Sequence, residues 1–289
     1  MALAEIVLKL TLVIFMLGNL LDMGLRLRLS EALRDLRDVR FVIWSVLWGF
    51  VILPAFAYAI ARLIPMAHAY AVGLVLLGMT PCAPFLPPMV DRAHGDLAYT
   101  AAFMLLANVV TVLYMPLAVP VLVKGFSANA FTIAKPLVLF LLVPLAIGLA
   151  IKHRSDHLAG RLEPVIKKVT GIDTVLMLFL CLVIYGKDFL GLAGSYAIGA
   201  QILFFAVATA APNLLSFGIP NGQRVVISLG MATRNLGAAF APLFALRGVD
   251  QRSIVMVALG VIMQATFAFG AASYYGRGRQ TARGSSASG

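Results

Sequence analysis

Two short interruptions within apolar, membrane-length stretches carry the residue types best suited to hold a ligand. The first, residues 79–88, contains four prolines and Cys82. Proline lacks an amide donor and clashes with a preceding carbonyl, so a helix ends or kinks there. The second, residues 228–235, places Arg234 and Asn235 where lipid penalises polar groups. Because broken or charged backbone at bilayer depth is tolerated mainly inside protein or beside a wet cavity, the two segments predict a binding site.

Arg234 brings a positive charge that cannot be neutralised in practice and is costly at the bilayer centre unless it is paired or hydrated. Two roles fit this residue. Arg234 either supplies a fixed charge to the binding site, replacing a bound cation or holding an anionic substrate, with Asp91 as its partner. Or it forms a structural ion pair that only joins the two interruptions.

The composition identifies the class of protein. Hydrophobic residues make up 61% of the 289-residue chain and charged residues 12%, and the mean hydropathy is +0.96. These values are far from those of a soluble domain and indicate a polytopic integral membrane protein. The formal net charge is +11, but the basic residues lie between apolar stretches. The predicted partner is therefore the lipid bilayer and not nucleic acid.

Apolar segments long enough to cross about 30 Å of hydrocarbon predict nine transmembrane helices. They form one transmembrane domain, residues 1–275, followed by a tail at 276–289 that we predict to be disordered and cytoplasmic. The predicted spans are 5–26, 40–62, 68–90, 97–123, 130–152, 165–186, 190–216, 223–246 and 251–275. Each interruption falls in the next-to-last span of its group, the first four or the last five, as expected of an inverted-repeat transporter.

Lys and Arg residues are concentrated in the loops that follow the odd-numbered spans and in the tail. This bias predicts a cytoplasmic C-terminus and an N-terminus outside. The two cysteines, Cys82 and Cys181, provide neither a disulfide framework nor a zinc-ligand spacing. Zinc-hydrolase, nucleophile-elbow and phosphate-loop motifs are absent from the sequence, so we predict neither an enzyme nor an organic cofactor.

Three stretches resemble the bile acid:sodium symporter family. Thr-Pro-Cys-Ala-Pro at 80–84, followed by Arg-Ala-His-Gly-Asp at 92–96, is similar to the Cys-Pro-rich break and basic-Gly-Asp turn of the family's fourth helix. Residues 224–235 resemble its ninth helix, in which Glu, Gly, Met, Gln and Asn follow an Arg. Met-Gly-Leu at 23–25 is similar to the end of an early helix. The chain is identified as a divergent, bacterial-type member.

The resemblance implies an all-α fold with a panel domain facing a core domain. The fold consists of two inverted five-helix repeats, here without the first helix. In the family, two broken helices of the core cross, hold sodium and adjoin the substrate cavity, and the substrates are mostly organic anions.

Several sodium ligands that the resemblance implies are substituted in this chain. Their positions fall on Pro87, Pro88, Thr100, Met104, Ser228 and either Ala232 or Thr233. The prolines and the methionine offer no side-chain oxygen, whereas a hard cation requires several oxygens at once. Sodium therefore remains a candidate ligand only at Thr100 and Ser228.

We predict a secondary active transporter that moves a small organic anion by alternating access across a bacterial inner membrane. The predicted substrate or ion site consists of Thr80, Cys82, Asp91, Thr100, Ser228, Thr233, Arg234 and Asn235. An arsenite-type exporter is one alternative, because Cys82 is similar to the cysteine in the broken helix of arsenite permeases, although a buried small thiol is the commoner explanation. A channel or receptor on the same scaffold is another.

Overall fold

The computed structural model of the chain describes residues 2–123, 129–245 and 249–286, with side chains for 6–123, 129–244 and 249–277. Apart from one bridged residue pair, the regular structure of these residues is helical, as predicted. The α-helices are α1 (Ala2–Arg26), α2 (Leu29–Asp35), α3 (Val39–Val46), α4 (Leu53–Leu63), α5 (His68–Gly78), α6 (Leu86–Arg92), α7 (Leu97–Leu122), α8 (Ala130–Leu137), α9 (Val143–Arg154), α10 (Asp156–Leu190), α11 (Ala197–Leu215), α12 (Asn221–Ala232), α13 (Leu236–Ala245) and α14 (Gln251–Ser286).

Seven helical segments of the described residues are long and apolar enough to cross a membrane. They are Ile6–Arg26, Val39–Leu63, Leu97–Leu122, Ala130–Arg154, Asp156–Leu190, Ala197–Leu215 and Gln251–Arg277. Each lies on one of the nine predicted spans, and the chain is an integral membrane protein. The other two predicted spans, 68–90 and 223–246, are each a pair of short helices with a break between them, and residue 246 lies outside the described residues.

Two of these segments contain a π-helical turn immediately before a proline-bearing helix. Leu47–Ile52 joins α3 to α4, and Val138–Leu142 joins α8 to α9. The second residue of the helix that follows is Pro54 in one case and Pro144 in the other. Proline removes one amide donor and crowds the carbonyl four residues earlier, and the wider π turn accommodates both effects. These segments therefore continue through the proline as single spans.

The last helix continues past the predicted membrane boundary. Since α14 ends at Ser286, residues 276–286 are helical where the sequence predicts a disordered tail, and 287–289 lie outside the described residues. No proline follows Gln251 in the sequence. The glycines in this stretch weaken a helix by only about 1 kcal/mol each, so the final span extends without a strong stop signal.

Helix α1 packs closely against α9 and α10. A Cβ atom on Gly24 would lie 2.5 Å from the carbonyl oxygen of Leu145, and one on Gly148 would lie 2.6 Å from that of Leu21. The backbones of α1 and α9 therefore touch directly at Gly24 and Gly148, as small residues allow in membrane helix pairs. At the end of α1, Arg26 contacts Asp22 at 2.6 Å and Glu163 of α10 at 3.1 Å.

A second group of helices surrounds the two breaks. Its main contacts join α14 to α5, α11 to α12 and α4 to α5. Two buried side chains link these helices through backbone carbonyls: Gln201 donates to Met256 O at 2.6 Å, and Ser253 donates to Ala69 O at 2.8 Å. The molecule thus has a tightly packed α1–α9–α10 group beside a larger group that contains both interrupted helices.

Candidate functional site

The first break separates α5 from α6 and covers residues 79–85. Pro81 and Pro84 lie within it, and Cys82 between them has a φ of +76°, a left-handed conformation that costs a non-glycine residue roughly 1–2 kcal/mol. Pro87 and Pro88, which the sequence places in the interruption, instead lie in the first turn of α6. The helix can resume at these prolines because the amide groups of a first helical turn have no partner within the helix, so a proline there loses no hydrogen bond.

The second break separates α12 from α13 and covers residues 233–235. It contains no proline. Thr233 has φ −103° and ψ 143°, so the chain is extended at this point. Leu236 then begins α13, whose first turn is capped by Asn235: the Asn235 Oδ1 accepts a hydrogen bond from Ala238 N at 3.1 Å.

The two breaks pair with each other in an antiparallel arrangement, with Pro81 opposite Arg234. Cys82 N donates to Thr233 O at 2.9 Å, and Asn235 N donates to Thr80 O at 2.8 Å. Cys82 N also lies 3.1 Å from the carbonyl oxygen of Gly230. We call residues 80–83 and 233–235 the crossing. Each break supplies the backbone partners that the other lost when its helix ended, which is the condition for non-helical backbone at bilayer depth.

Side chains add further bonds at the crossing. The hydroxyl of Thr233 accepts from Ala83 N at 3.2 Å and donates to Leu229 O at 3.0 Å. The hydroxyl of Thr80 bonds only within its own helix end, to the carbonyls of Leu76 and Leu77, both at 3.3 Å. Thr233 therefore joins the two breaks.

Arg234 is completely buried at the crossing. Its Nη1 donates to the carbonyl oxygen of Gly78, the last residue of α5, at 3.4 Å, and its guanidinium carbon lies 4.9 Å from the ring centroid of Phe204. A cation is favourable at a helix C-terminus and over an aromatic face. Among the described residues, its Nε and Nη2 have no hydrogen-bond partner and it forms no ion pair.

Asp91 is not the partner of Arg234, so this prediction was wrong. Asp91 is exposed near the end of α6, more than a helical turn beyond the first break. Since each helical residue advances the chain by about 1.5 Å, α6 carries the carboxylate away from the crossing. The structural ion pair considered for Arg234 is therefore not formed with Asp91.

The remaining predicted residues are Asn235 in the second break, Ser228 on α12 and Thr100 on α7. The side-chain amide of Asn235 donates to the amide oxygen of Asn108 on α7 at 2.8 Å. Ser228 lies on α12, where its hydroxyl donates to Thr209 O at 2.6 Å. Thr100 is in the first turn of α7 and donates to Asp96 O at 2.8 Å. The structure thus brings Thr80, Cys82, Thr233, Arg234 and Asn235 together in the crossing, while Asp91 lies at the surface.

A cavity of about 110 Å³ lies between the crossing and the α1–α9–α10 group. It is lined by Phe15, Met16, Asn19, Leu20, Ala83, Pro84, Phe85, Thr174, Arg234, Asn235, Leu236, Gly237, Val261 and Gln264. Four segments distant in sequence supply the polar groups: Asn19 on α1, Thr174 on α10, Gln264 on α14, and the crossing itself. Phe15 and Thr174 are not predicted as site residues, because neither carries a charge or a helix-breaking signal. Cys82 and Thr80 do not line this cavity.

Arg234 is the only charged side chain in the crossing, residues 80–83 and 233–235. In the described part of the chain, no cluster of three or more His, Cys, Asp or Glu residues is close enough to hold a metal. The hydroxyls of Thr100 and Ser228 donate to backbone carbonyls, which leaves the lone pairs of their oxygens available, but neither residue is part of the crossing. Arg234 also places a positive charge at the crossing, which disfavours a second cation nearby.

Among the described residues the protein is helical apart from one bridged pair, and two of its apolar helical regions are interrupted and pair with each other, an arrangement that membrane proteins tolerate where the broken backbone is buried in protein or lines a cavity. The sequence profile of the sodium bile acid symporter family matches residues 11–192. The chain belongs to this family.

Two curated relatives match most of the chain. Both are described as "Probable sodium/metabolite cotransporter BASS3, chloroplastic". The protein from Arabidopsis thaliana is 23% identical over 265 residues, which cover 90% of this chain and 61% of the relative. The protein from Oryza sativa subsp. japonica is 23% identical over 266 residues, covering 90% of this chain and 62% of the relative. The chain therefore spans about three fifths of the length of these relatives.

Proposed function

We propose that the protein is a secondary transporter that moves a small organic anion by alternating access. The observation that carries this proposal is the crossing together with its cavity: two helix breaks satisfy each other's backbone and leave a polar-lined space against the α1–α9–α10 group. Rocking one group against the other opens that space to each side of the membrane in turn. In this arrangement the crossing binds the substrate and need not unfold during the cycle.

In the proposed fold, nine segments cross the membrane, two of them are broken, and the segments are arranged as two inverted repeats. The α1–α9–α10 group corresponds to a panel and the group around the breaks to a core. The bias of Lys and Arg residues supports an N-terminus outside and a cytoplasmic C-terminus in a bacterial inner membrane.

An anionic substrate is supported by the charges and dipoles at the cavity. The N-terminal end of α13, from Asn235 to Gly237, borders the cavity, and a helix N-terminus carries a partial positive charge. Arg234 adds a full positive charge at the crossing, and it forms no ion pair with a carboxylate among the described residues. The family and the descriptions of its two relatives support transport of a small metabolite.

We further propose that the charge of Arg234 takes the place of a bound sodium ion at the crossing. Two cations about 5 Å apart repel each other by roughly 3 kcal/mol at an effective dielectric constant of about 20. Sodium would face this repulsion at the crossing, where Arg234 forms no ion pair with a carboxylate of the described residues. The transport cycle then proceeds without sodium at the crossing, in contrast to the coupling named in the relatives' descriptions.

Uptake into proteoliposomes tests both statements. A panel of radiolabelled carboxylates and sulfonates is offered with and without an inward sodium gradient, to the wild-type protein and to Arg234→Gln. We expect uptake by the wild type that does not change with sodium. We expect at least a tenfold loss of uptake in Arg234→Gln, compared at equal amounts of folded protein, because the variant removes the positive charge from the crossing; it also removes the contact with the Phe204 ring, so the melting temperature is measured alongside.

Arg62→Gln serves as the matched control, since Arg62 is an exposed arginine at the end of α4. Sodium-dependent uptake would contradict the role of Arg234 and leave the transporter proposal intact. Passive ion currents in place of saturable uptake would instead identify a channel.

The arsenite exporter has less support from the geometry. Cys82 is 1% exposed and does not line the cavity, and its Sγ lies 3.8 Å from the carbonyl oxygen of Ala83. The thiol therefore behaves as a small buried apolar group at the tightest point of the first break. Arsenite efflux that disappears in Cys82→Ala would overturn this assignment.

A further inference from the structure

The connection between α1 and α3 lies where the membrane meets water. One membrane-length segment ends at Arg26 and the next begins at Val39, so residues 27–38 lie at one surface of the membrane. Within this connection, α2 packs against α7 with Ala32 buried, whereas Leu29 and Leu33 are exposed. Exposed leucines on a helix at this depth contact the boundary between lipid headgroups and acyl chains. Helix α2 therefore lies along the membrane surface.

Side chains on one face of α3 and its π-helical continuation bind the connection between α11 and α12. They are four residues apart, at positions 40, 44 and 48, and they donate to residues 218, 217 and 216 in turn. The bonds are Arg40 Nη1 to Gly218 O at 3.4 Å, Trp44 Nε1 to Phe217 O at 2.9 Å, and Trp48 Nε1 to Ser216 Oγ at 3.0 Å. The start of α12, which leads to the second break, is therefore attached to α3.

Arg37 and Arg40 bring positive charge to this place without a carboxylate partner. Both are exposed, and neither forms an ion pair with any described residue. The nearby carboxylates have other partners: Asp35 pairs with Arg34 at 3.1 Å, and Asp38 accepts two side-chain hydrogen bonds at 3.1 Å each. The two arginines are thus available to an anion from outside the protein.

An exposed apolar surface lies beside these arginines. Val39 and Ile43 are 65% and 56% exposed, and they precede and follow Arg40 on α3. Phe217 is exposed as well, and Trp44 is partly exposed. Tryptophan and other aromatic side chains collect at the depth of the lipid headgroups. Positive charge next to apolar surface at this depth matches a phospholipid with a negative headgroup.

We propose that residues 37–44 together with Phe217, which we call the basic corner, bind an anionic phospholipid. Arg37 and Arg40 contact the phosphate, for which a guanidinium has the matching geometry, and Val39 and Ile43 contact an acyl chain. The occupant is a membrane lipid and not a soluble anion, because the arginines adjoin apolar residues that face the acyl chains. Since Arg40 also donates to Gly218, the bound lipid reinforces the attachment of α12 to α3. This inference does not depend on the proposed transport function.

Fluorescence quenching tests the inference, because the chain contains two tryptophans and only one of them is within reach of lipid. Trp48 is 3% exposed, whereas Trp44 belongs to the basic corner. The protein is reconstituted in phosphatidylcholine vesicles with increasing fractions of phosphatidylglycerol or phosphatidylcholine that is brominated near the headgroup end of its acyl chains. We expect half-maximal quenching at a fraction of brominated phosphatidylglycerol about fivefold lower than that of brominated phosphatidylcholine. Trp44→Phe should abolish the quenching.

The variants remove one charge at a time from the same surface. In the double variant Arg37→Gln with Arg40→Gln, the two brominated lipids should quench equally. Arg37→Gln alone leaves the bond from Arg40 to Gly218 in place and should show an intermediate preference. Arg34→Gln is the matched control, since Arg34 is exposed on α2 but already pairs with Asp35, and it should keep the full preference. Circular dichroism confirms that each variant is folded.

Three results would overturn the inference. The first is equal quenching by both lipids in the wild type. The second is an equal loss of preference in Arg34→Gln and Arg37→Gln, which would show a general attraction to an anionic surface and no site. The third is displacement of brominated phosphatidylglycerol by excess glycerol phosphate, which has no acyl chain and would identify a site for soluble phosphates. Each of these results leaves the transporter proposal intact.

Discussion

The first break, between α5 and α6, contains Pro81 and Pro84, whereas the second break, between α12 and α13, contains no proline. In the first, the two prolines remove amide donors and crowd preceding carbonyls, and Cys82 between them has a left-handed conformation, so the local sequence disfavours a continuous helix. In the second, the neighbouring Met231, Ala232 and Leu236 are all good helix formers, so the local sequence permits a helix that the fold interrupts. The second break therefore depends on its pairing with the first. The first break depends less on that pairing, because its own prolines interrupt the helix.

The difference appears again in the hydrogen bonds that maintain each break. Cys82 N donates both to Gly230 O and to Thr233 O, so the end of α12 is held by the proline-rich segment. Substitutions that disturb this pairing should affect stability more than substitutions that remove a single proline. Four variants, each compared with a control or companion variant, test that order.

Gly230→Leu should have the largest effect. The ring of Phe103 on α7 occupies the place where a side chain at Gly230 would begin. Overpacking at this contact pushes α12 away from α7 and displaces the carbonyl that accepts from Cys82. We expect a loss of roughly 3 kcal/mol in the free energy of unfolding, measured by denaturant titration in detergent micelles.

The matched control for this variant is Gly199→Leu. Gly199 lies on α11, and a Cβ there meets no atom within 4 Å. If both leucine variants lose stability equally, the effect comes from leucine itself and the close packing of α12 is not its cause.

Thr233→Val and Thr80→Val compare the two breaks directly with the same nearly isosteric change. Thr233→Val removes the acceptor of Ala83 N and leaves that buried amide unpaired, which should cost about 2 kcal/mol. Thr80→Val should cost less than about 1 kcal/mol, because the carbonyls of Leu76 and Leu77 keep backbone donors. Thermal unfolding of both variants measures the stability that each one loses. Equal losses would show that the second break does not depend on the pairing more than the first break does.

Pro84→Ala should have the smallest effect. Pro81 and the left-handed Cys82 remain, so the helix cannot continue through the first break. We expect the free energy of unfolding to change by less than about 1 kcal/mol, mostly through the greater freedom of the unfolded chain. Pro81→Ala in the same assay serves as the companion variant. A loss comparable to that of Gly230→Leu would mean that a single proline maintains the whole crossing.

The sequence predicts the helical class, the seven segments that are long and apolar enough to cross a membrane, and the regions that contain both breaks, because hydropathy, proline and charge are local signals; the breaks themselves are shorter than predicted, since residues 86–88 and 228–232 are helical. It does not predict that Arg234 lacks a carboxylate partner. The candidate Asp91 is distant because α6 restarts at Leu86, and this depends on how the prolines are divided between the break and the helix. Phe15 and Thr174 are likewise missed, since only packing brings α1 and α10 beside the crossing.

The direct contact of Gly24 with Gly148 provides a fixed reference for measuring motion in this protein. Because no side chain separates the two backbones there, α1 and α9 cannot rotate or slide against each other without overlap. In the proposed alternating-access cycle, spin labels placed on these two helices should keep one separation throughout. Labels on α1 and α13 should show two separations, one for each orientation of the cavity, and the glycine pair makes α1 the helix from which that displacement is measured.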